Sequence, residues 1–201
     1  MPIIISDIQQ GSIEWFSACC GSVGASNIDK IVTTKGERSK QREDYMMTLC
    51  AERITGQKEV GYSNQAMLNG IEREAEARTL FEMAQGVEVV QVGLIYKDEQ
   101  KQAHCSPDGL IGDNEGFEVK NPLSKTHIKY LLGNTLPTDY YCQVQFSLYV
   151  SEREYWWFMS HYPGLKPLIL KIGRYDNWIA KMEAELTVFH QELADMVEAV
   201  R

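Results

Sequence analysis

A chain of 201 residues, 44% apolar and 10% aromatic, is long enough to close one substantial core and has the side chains to fill it. That composition excludes a disordered or low-complexity chain, and no apolar run reaches the length of a membrane span. The formal charge of −8 argues mildly against a nucleic-acid partner, although DNA responds to local basic surface rather than to the net balance.

The N-terminal MPIIISDIQQ has neither a basic flank nor a small-residue cleavage site, so no signal peptide is expected. In TTKGERSKQRE the cations Lys35, Arg38, Lys40 and Arg42 crowd a turn-rich segment, which by itself reads as a solvated loop. A helix follows from about 41 to 55, ended by Gly56, and a second from about 64 to 86, with Met67, Ile71, Ala75 and Leu80/Phe81 at roughly helical spacing. The period then shortens to two. VEVVQVGLIY (87–96) is expected to be a strand, KDEQ a turn, and KQAHCSPDGLIG and GFEVKNP two strands joined at DNEG.

After Pro122, SKTHIKYLLG is a helix with a capping-type Ser124 and a stop at Gly133; TDYYCQVQFSLYVSE is another, opening after Pro137. EYWWFMSHYP and KPLILKIGR alternate as strands. A long amphipathic helix closes the chain from about 176 to 201, with Met182, Leu186, Phe189, Leu193, Met196 and Val200 spaced 4, 3, 4, 3, 4; core packing explains this stripe better than a subunit contact. This order of elements describes a mixed α/β layered domain. The five cysteines are odd in number and lack paired metal-ligand spacing, which suits a reducing cytosol.

The chemistry gathers in SPDGLIGDNEGFEVKNP, 106–122. Alternation puts Glu118 and Lys120 on one face of a strand and Phe117 and Val119 on the other. A carboxylate beside an ammonium is also a routine solvent-face pair. The turn returns Asp108 toward Glu118, but simple pairing with a four-residue loop would set Asp108 opposite Asn121, on the wrong face. A bulge or bend near Pro107–Gly109 is therefore expected. Two carboxylates a few ångström apart call for a cation between them, and magnesium takes oxygen ligands of this kind. No histidine pair, cysteine–histidine pair or GxSxG element points to another chemistry.

Proline-aspartate, nine residues, then ExK, on paired strands between a glutamate-bearing helix and a helix with QxxxY, resembles the PD-(D/E)XK nucleases. Six blocks in register narrow the resemblance to the lambda exonuclease group, the YqaJ-type viral recombinases or alkaline exonucleases. They are Trp15 with GSVGAS; Tyr45-x-x-Thr-Leu-x-Ala-Glu-x-x-Thr-Gly; Gly70-x-x-x-Glu74-x-x-Ala-Arg-Thr-Leu-Phe-Glu; Cys105-Ser-Pro-Asp-Gly-Leu; Glu118-x-Lys120-x-Pro122; and Gln143-Val-Gln145.

The resemblance implies a restriction-endonuclease-like core with a central mixed β-sheet flanked by helices, all one exonuclease domain over 1–201. It implies that Asp108, Glu118 and the backbone carbonyl of Val119 hold magnesium, with manganese as a substitute and two ions in the active complex. Lys120 would serve the attacking water, and Glu74 is selected among the glutamates of EREAEAR as a further acid. Gln143, Ser26 and, more weakly, Ser106 would contact the DNA end and its 5′-phosphate. Gln145, Tyr149 and Trp15 would support the site.

One position departs from the pattern. Relatives commonly carry an arginine four residues after the tryptophan, as a clamp on the 5′-phosphate, where this chain has Cys19. Cysteine cannot make the paired, charge-assisted bonds of a guanidinium. Either the preference for phosphorylated ends is weaker here, or another cation substitutes, with Arg38, Lys40 and Arg42 of the basic loop as candidates for contacting the DNA.

The resulting expectation is a magnesium-dependent 5′→3′ exonuclease on linear double-stranded DNA, releasing mononucleotides and leaving a 3′ overhang. The alternatives are another nuclease of this fold, cutting internally or at single-stranded ends, or an inactive DNA-binding relative. The resemblance further implies a ring-shaped homotrimer, a single-strand annealing partner, no membrane, and the bacterial host cytosol with a phage or prophage origin.

Overall fold

The computed structural model describes residues 1–58 and 65–201, and for 65–72 the helical backbone alone. In chain order the elements are β1 (Ile3–Ile5), α1 (Ile13–Cys19), β2 (Val23–Gly24), a 3-10 helix (Ala25–Lys30), α2 (Arg42–Thr55), α3 (Gln65–Gln85), β3 (Leu94–Tyr96), β4 (Ala103–Cys105), β5 (Gly109–Ile111), β6 (Glu115–Lys120), α4 (Ser124–Gly133), α5 (Thr138–Ser151), β7 (Tyr155–Ser160), β8 (Leu168–Gly173) and α6 (Asp176–Val200). The strands form two four-stranded mixed sheets, in the orders β1-β3-β4-β2 and β5-β6-β7-β8. Two pairs are parallel, β2 with β4 and β6 with β7. Because parallel neighbours need a crossover, the chain leaves β6 through α4 and α5 before returning as β7.

Helix α5 is the centre of the molecule. Cys142, Val144, Phe146, Leu148 and Val150 are all buried, and so are Gln145 and Ser147, so the helix has no solvent face to make it amphipathic. Helix α6 packs over the larger core with Met182, Leu186, Phe189 and Leu193 buried, as its stripe predicts, and Phe189 stacks on Tyr45 of α2 at 6.2 Å. Met196 packs against the same core from a partly buried position, whereas Val200 is 62% exposed. Among the described residues no helix is long and apolar enough to cross a membrane.

Helix α3 buries only part of the stripe that its spacing suggests. Ala77 and Phe81, one turn apart, are fully buried, while Ala75 and Leu80 are exposed; Met67 and Ile71 lie outside the described side chains. Phe81 is decisive, since its ring packs on Phe117 of β6 at 4.5 Å and on Trp157 of β7 at 5.4 Å.

The expected strand over 87–96 shrinks to Leu94–Tyr96 plus one bridge between Val90 and Leu110. The Val89 N–H is taken by the Glu82 carboxylate at 2.8 Å, and the Gly93 N–H reaches Ile5 at 2.8 Å. At Gly93 a β-carbon would sit 2.5 Å from the Ile8 carbonyl, so only glycine allows this close passage. Ser124 opens α4 without a side-chain cap bond, and Asn134 rather than Gly133 takes the left-handed turn at its end. The segments Ile3–Ile5, Ile13–Cys19 and Val23–Lys30 are regular as well, although no element was expected there.

The hairpin is the largest correction. The expected continuous strand over 101–112 is cut at Ser106–Asp108, with β4 in one sheet and β5 in the other. Gly109 faces Phe117 and Ile111 faces Glu115, leaving a three-residue loop, Gly112 to Asn114. Gly112 takes φ 50, a conformation glycine adopts at little cost. Continued by one step, this register sets Asp108 at the level of Glu118, and the chain bends at Asp108, within the Pro107–Gly109 stretch where an irregularity was expected. The Asp108 N–H marks the irregularity by donating to the carbonyl of Phe117, the residue that Gly109 already faces, at 3.0 Å.

Candidate active site

Strand β6 fixes the site by burying its apolar alternates. Phe117 and Val119 sink into the smaller core with Phe81 and Met159, so Glu118 and Lys120 must point the other way. Lys120 Nζ donates to Glu118 Oε1 at 2.5 Å and lies over the Tyr140 ring at 5.2 Å. Glu118 is only 4% exposed, because Gln143 of α5 also covers it, its Nε2 donating to Glu118 Oε1 at 2.7 Å. The pair is thus enclosed between β6 and α5 rather than lying on a solvent face.

Asp108 sits where the chain passes from one sheet to the other. Its Oδ2 accepts the Val119 N–H at 2.6 Å. In an extended strand the N–H and C=O of one residue point to the same edge, so the Val119 carbonyl also faces the Asp108 side, where β5 has already ended. The loop before Asp108 is pinned by Gln10, whose Nε2 donates to the carbonyls of Pro107 at 2.8 Å and Val92 at 3.0 Å.

Burial holds the Asp108 carboxyl well above the usual aspartate range. The Glu118 and Glu74 charges push it the same way, against Lys120 and the Val119 N–H. Glu74, on α3, is raised by burial and by Glu118, offset by its ion pair with Arg78 at 3.5 Å. Burial alone would lower the Lys120 ammonium, but Glu118 and Asp108 outweigh it and hold it above its ordinary value. The site therefore gathers three acids, with Lys120 against Glu118 and Arg78 against Glu74. Among the described residues no three acidic, histidine or cysteine side chains are gathered closely enough to form a metal cage by themselves.

Two cavities flank this group, with Trp15 bordering both. The larger, about 600 Å³, is lined by Glu74, Asp7, Gln10 and Gln91; the smaller, about 120 Å³, by Ser26, Lys58, Ser106 and Gln143. Trp15 Nε1 donates to Ser106 Oγ at 3.0 Å and to the Gly93 carbonyl at 3.2 Å. The structure thus brings together Asp108, Glu118, Val119, Lys120, Glu74, Gln143, Ser106, Ser26 and Trp15. Of the other glutamates in EREAEAR, Glu76 turns toward His161 at 3.8 Å, and the Glu72 side chain lies outside the described residues.

Other expected residues are placed elsewhere. Gln145 is buried and braces α5 against the start of α6, donating to the Gly173 carbonyl at 2.9 Å and accepting from the Tyr175 N–H at 2.8 Å. The Tyr149 hydroxyl bonds Glu183 of α6 at 3.1 Å. Both lie on helix faces turned from Gln143 and tie α5 to the end of β8 and to α6. Arg38 pairs with Glu185 at 2.8 Å, and Arg42 is buried against Glu192 and the Phe189 ring. With Lys40 they line a separate cavity along α6, so the basic loop does not reach the carboxylates. Lys58, Gln10 and Tyr140 were not anticipated; nothing in their local sequence marks them, since only the folding of distant segments brings them here.

A mixed-sheet core in which Asp108, Glu118 and Lys120 meet at the end of one strand is the PD-(D/E)XK arrangement. The sequence profile of the YqaJ-like viral recombinase domain matches residues 14–154. The chain belongs to the YqaJ-like viral recombinase family. Its structure is similar to the alkaline exonuclease LHK-Exo of Laribacter hongkongensis, at 32% identity and TM-score 0.85, covering 94% of this chain and 96% of that one. The dAMP complex of LHK-Exo matches at 33% identity with the same coverage and TM-score. A phage-related exonuclease from Haemophilus somnus 129PT shares the fold at TM-score 0.70 and 11% identity, over 90% of this chain and 96% of that one. Comparison with curated proteins returns no match.

Proposed function

We propose that the protein is a magnesium-dependent 5′→3′ exonuclease that digests one strand of linear double-stranded DNA to 5′-mononucleotides and leaves a 3′ overhang for strand annealing. The observation that carries this reading is the meeting of Asp108, Glu118 and Lys120 at the end of β6, enclosed by Gln143 and flanked by Glu74.

Asp108, Glu118 and the Val119 carbonyl would hold the metal, with manganese as a substitute and two ions in the active complex. The fit rests on hard oxygen donors at one strand edge and on an Asp108 carboxyl raised by burial and then by the neighbouring acids, which a divalent cation would offset. When bound, the ion supplies positive charge at the phosphate under attack and makes water more acidic. Lys120 orients the attacking water and offsets charge gathering on the phosphate oxygens. Glu74, held toward its acid form, sits where it can exchange a proton at the edge of the group. Gln143 holds the DNA end against Glu118. Water adds to phosphorus and the bond to the 3′ oxygen of the terminal nucleotide breaks, so the shortened strand again begins with a 5′-phosphate.

The same reading takes the chain as one exonuclease domain in a homotrimeric ring around the duplex, working with an annealing protein in the bacterial cytosol. A ring with a locally basic channel accommodates a net charge of −8. The test combines magnesium, an end-labelled linear duplex and a closed circle. Release of the 5′ label as mononucleotide with the circle intact, and loss of that release in EDTA, is expected. Cutting of the circle would mark an endonuclease, and cleavage of neither DNA an inactive DNA-binding relative.

A further inference from the structure

We infer that Lys58 is the cation that grips the 5′-terminal phosphate, in the cavity that Ser26, Ser106 and Gln143 complete beside the carboxylates. This rests on the exonuclease reading and deepens it, by naming a residue of this chain that would take the place of the arginine expected at Cys19.

The cavity, about 120 Å³, is of a size for one phosphate group and is rich in donors. Among the described residues no carboxylate lines it. It adjoins the reaction site through Gln143, whose amide nitrogen already meets Glu118 at 2.7 Å and keeps a second N–H, and through Ser106, two residues before Asp108. The Ser106 oxygen accepts from Trp15 Nε1 at 3.0 Å, which leaves the hydroxyl's own proton to donate. Ser26 is exposed and adds a second hydroxyl.

Lys58 is the cation of this cavity. His104 also lines it, but burial, reinforced by the Lys58 charge, pushes its imidazole down to about 3, so it is neutral at working pH. Cys19, at the position where an arginine was expected, is 0% exposed and cannot touch DNA. Its thiol is pushed up to about 11, chiefly by burial, with Lys58 as the largest opposing influence, so the lysine charge reaches the neighbourhood the cysteine leaves neutral. Arg38 and Arg42 are committed to Glu185 and Glu192. Among the described residues no carboxylate forms an ion pair with Lys58.

Each cut regenerates a 5′-phosphate, so the effect is confined to the first turnover of a hydroxyl end. The experiment follows release of the terminal nucleotide, and then of later ones, from linear duplexes bearing either a 5′-phosphate or a 5′-hydroxyl. The unaltered protein should show a lag on hydroxyl ends only. Lys58→Met should slow the phosphorylated end about tenfold or more and bring the two ends together, the scale of a lost charge-assisted hydrogen bond. Lys58→Arg should restore much of the difference. A wild-type protein without a lag, or a Lys58→Met protein that keeps the full difference between ends, overturns the inference. If the wild-type protein cuts no DNA, the exonuclease reading fails and the pocket is judged by binding alone. In calcium, tighter binding of the phosphorylated duplex that Lys58→Met abolishes supports it, and equal binding of both ends overturns it.

Discussion

Replacing Lys120 by methionine keeps most of the aliphatic stem and removes the ammonium. Glu118, 4% exposed, then loses the partner at 2.5 Å and keeps only the Gln143 amide at 2.7 Å. Removing one partner of a buried ion pair costs about 3–5 kcal/mol. Lys120 retains 27% side-chain exposure, so part of the interaction is screened, and a loss of about 2–3 kcal/mol is expected. In urea, at a slope of about 2 kcal/mol per molar, the midpoint should fall by about 1 M. Adding Glu118→Gln removes the stranded charge while keeping a carbonyl for Gln143 to donate to, and about half of the loss should return. The assay is urea unfolding followed by circular dichroism, in EDTA at neutral pH, for the wild type, both single variants and the double variant. Lys120→Met should also bind duplex normally and cleave it about 100-fold more slowly, or worse. A Lys120→Met midpoint equal to wild type, or a double variant whose loss is the sum of the singles, would refute the buried-pair argument; near-normal turnover would remove Lys120 from the chemistry.

Asp108→Asn should raise stability in EDTA at neutral pH and abolish cleavage. A raised carboxyl binds its proton more tightly in the folded chain, so the group costs stability above its folded value, and the cost vanishes below the ordinary aspartate value of about 3.9. Thermal unfolding against pH should therefore show the gain fading in acid; a constant gain contradicts the assignment. Phe81→Ala should cost about 3–5 kcal/mol, since the ring is fully buried against Phe117 and Trp157. Because Glu74 rides on the same helix, cleavage should fall too in protein still folded by circular dichroism. Gln145→Ala should lower stability by about 1–3 kcal/mol through two lost buried hydrogen bonds. Its effect on the cleavage rate of folded protein should be far smaller than that of Lys120→Met, and an equal rate loss would place Gln145 in the chemistry after all.

Much of the candidate site was legible before the fold was known. Alternation alone put Glu118 and Lys120 on one face, and the motif supplied Asp108, Gln143 and Glu74. The register of Asp108 was not legible, because it depends on where a three-residue loop closes and where the strand changes sheets. On α3 the stripe placed Phe81 correctly but not Ala75 or Leu80, for a related reason. Its apolar residues are spread around the helix, and only Phe117 and Trp157 decide that Phe81 goes inward. Gln145 and Tyr149 read as companions of Gln143, yet helical geometry turns them toward β8 and α6.

By itself the sequence determined the elements with strong periodicity and the alternation that sets Glu118 beside Lys120, because spacing and residue type are properties of the chain; the family resemblance implied the Asp108, Glu118 and Lys120 trio and the arginine expected where Cys19 stands. Tertiary structure alone decided which cations reach the site. Arg38 and Arg42 lie in the most basic stretch, but α6 presents them with carboxylates and occupies them. Lys58, an isolated residue beyond the end of α2, is carried to Ser106 and Gln143 by the packing of segments about 50 and 85 positions away. A cation's availability depends on what lies opposite it in space, and composition does not encode that.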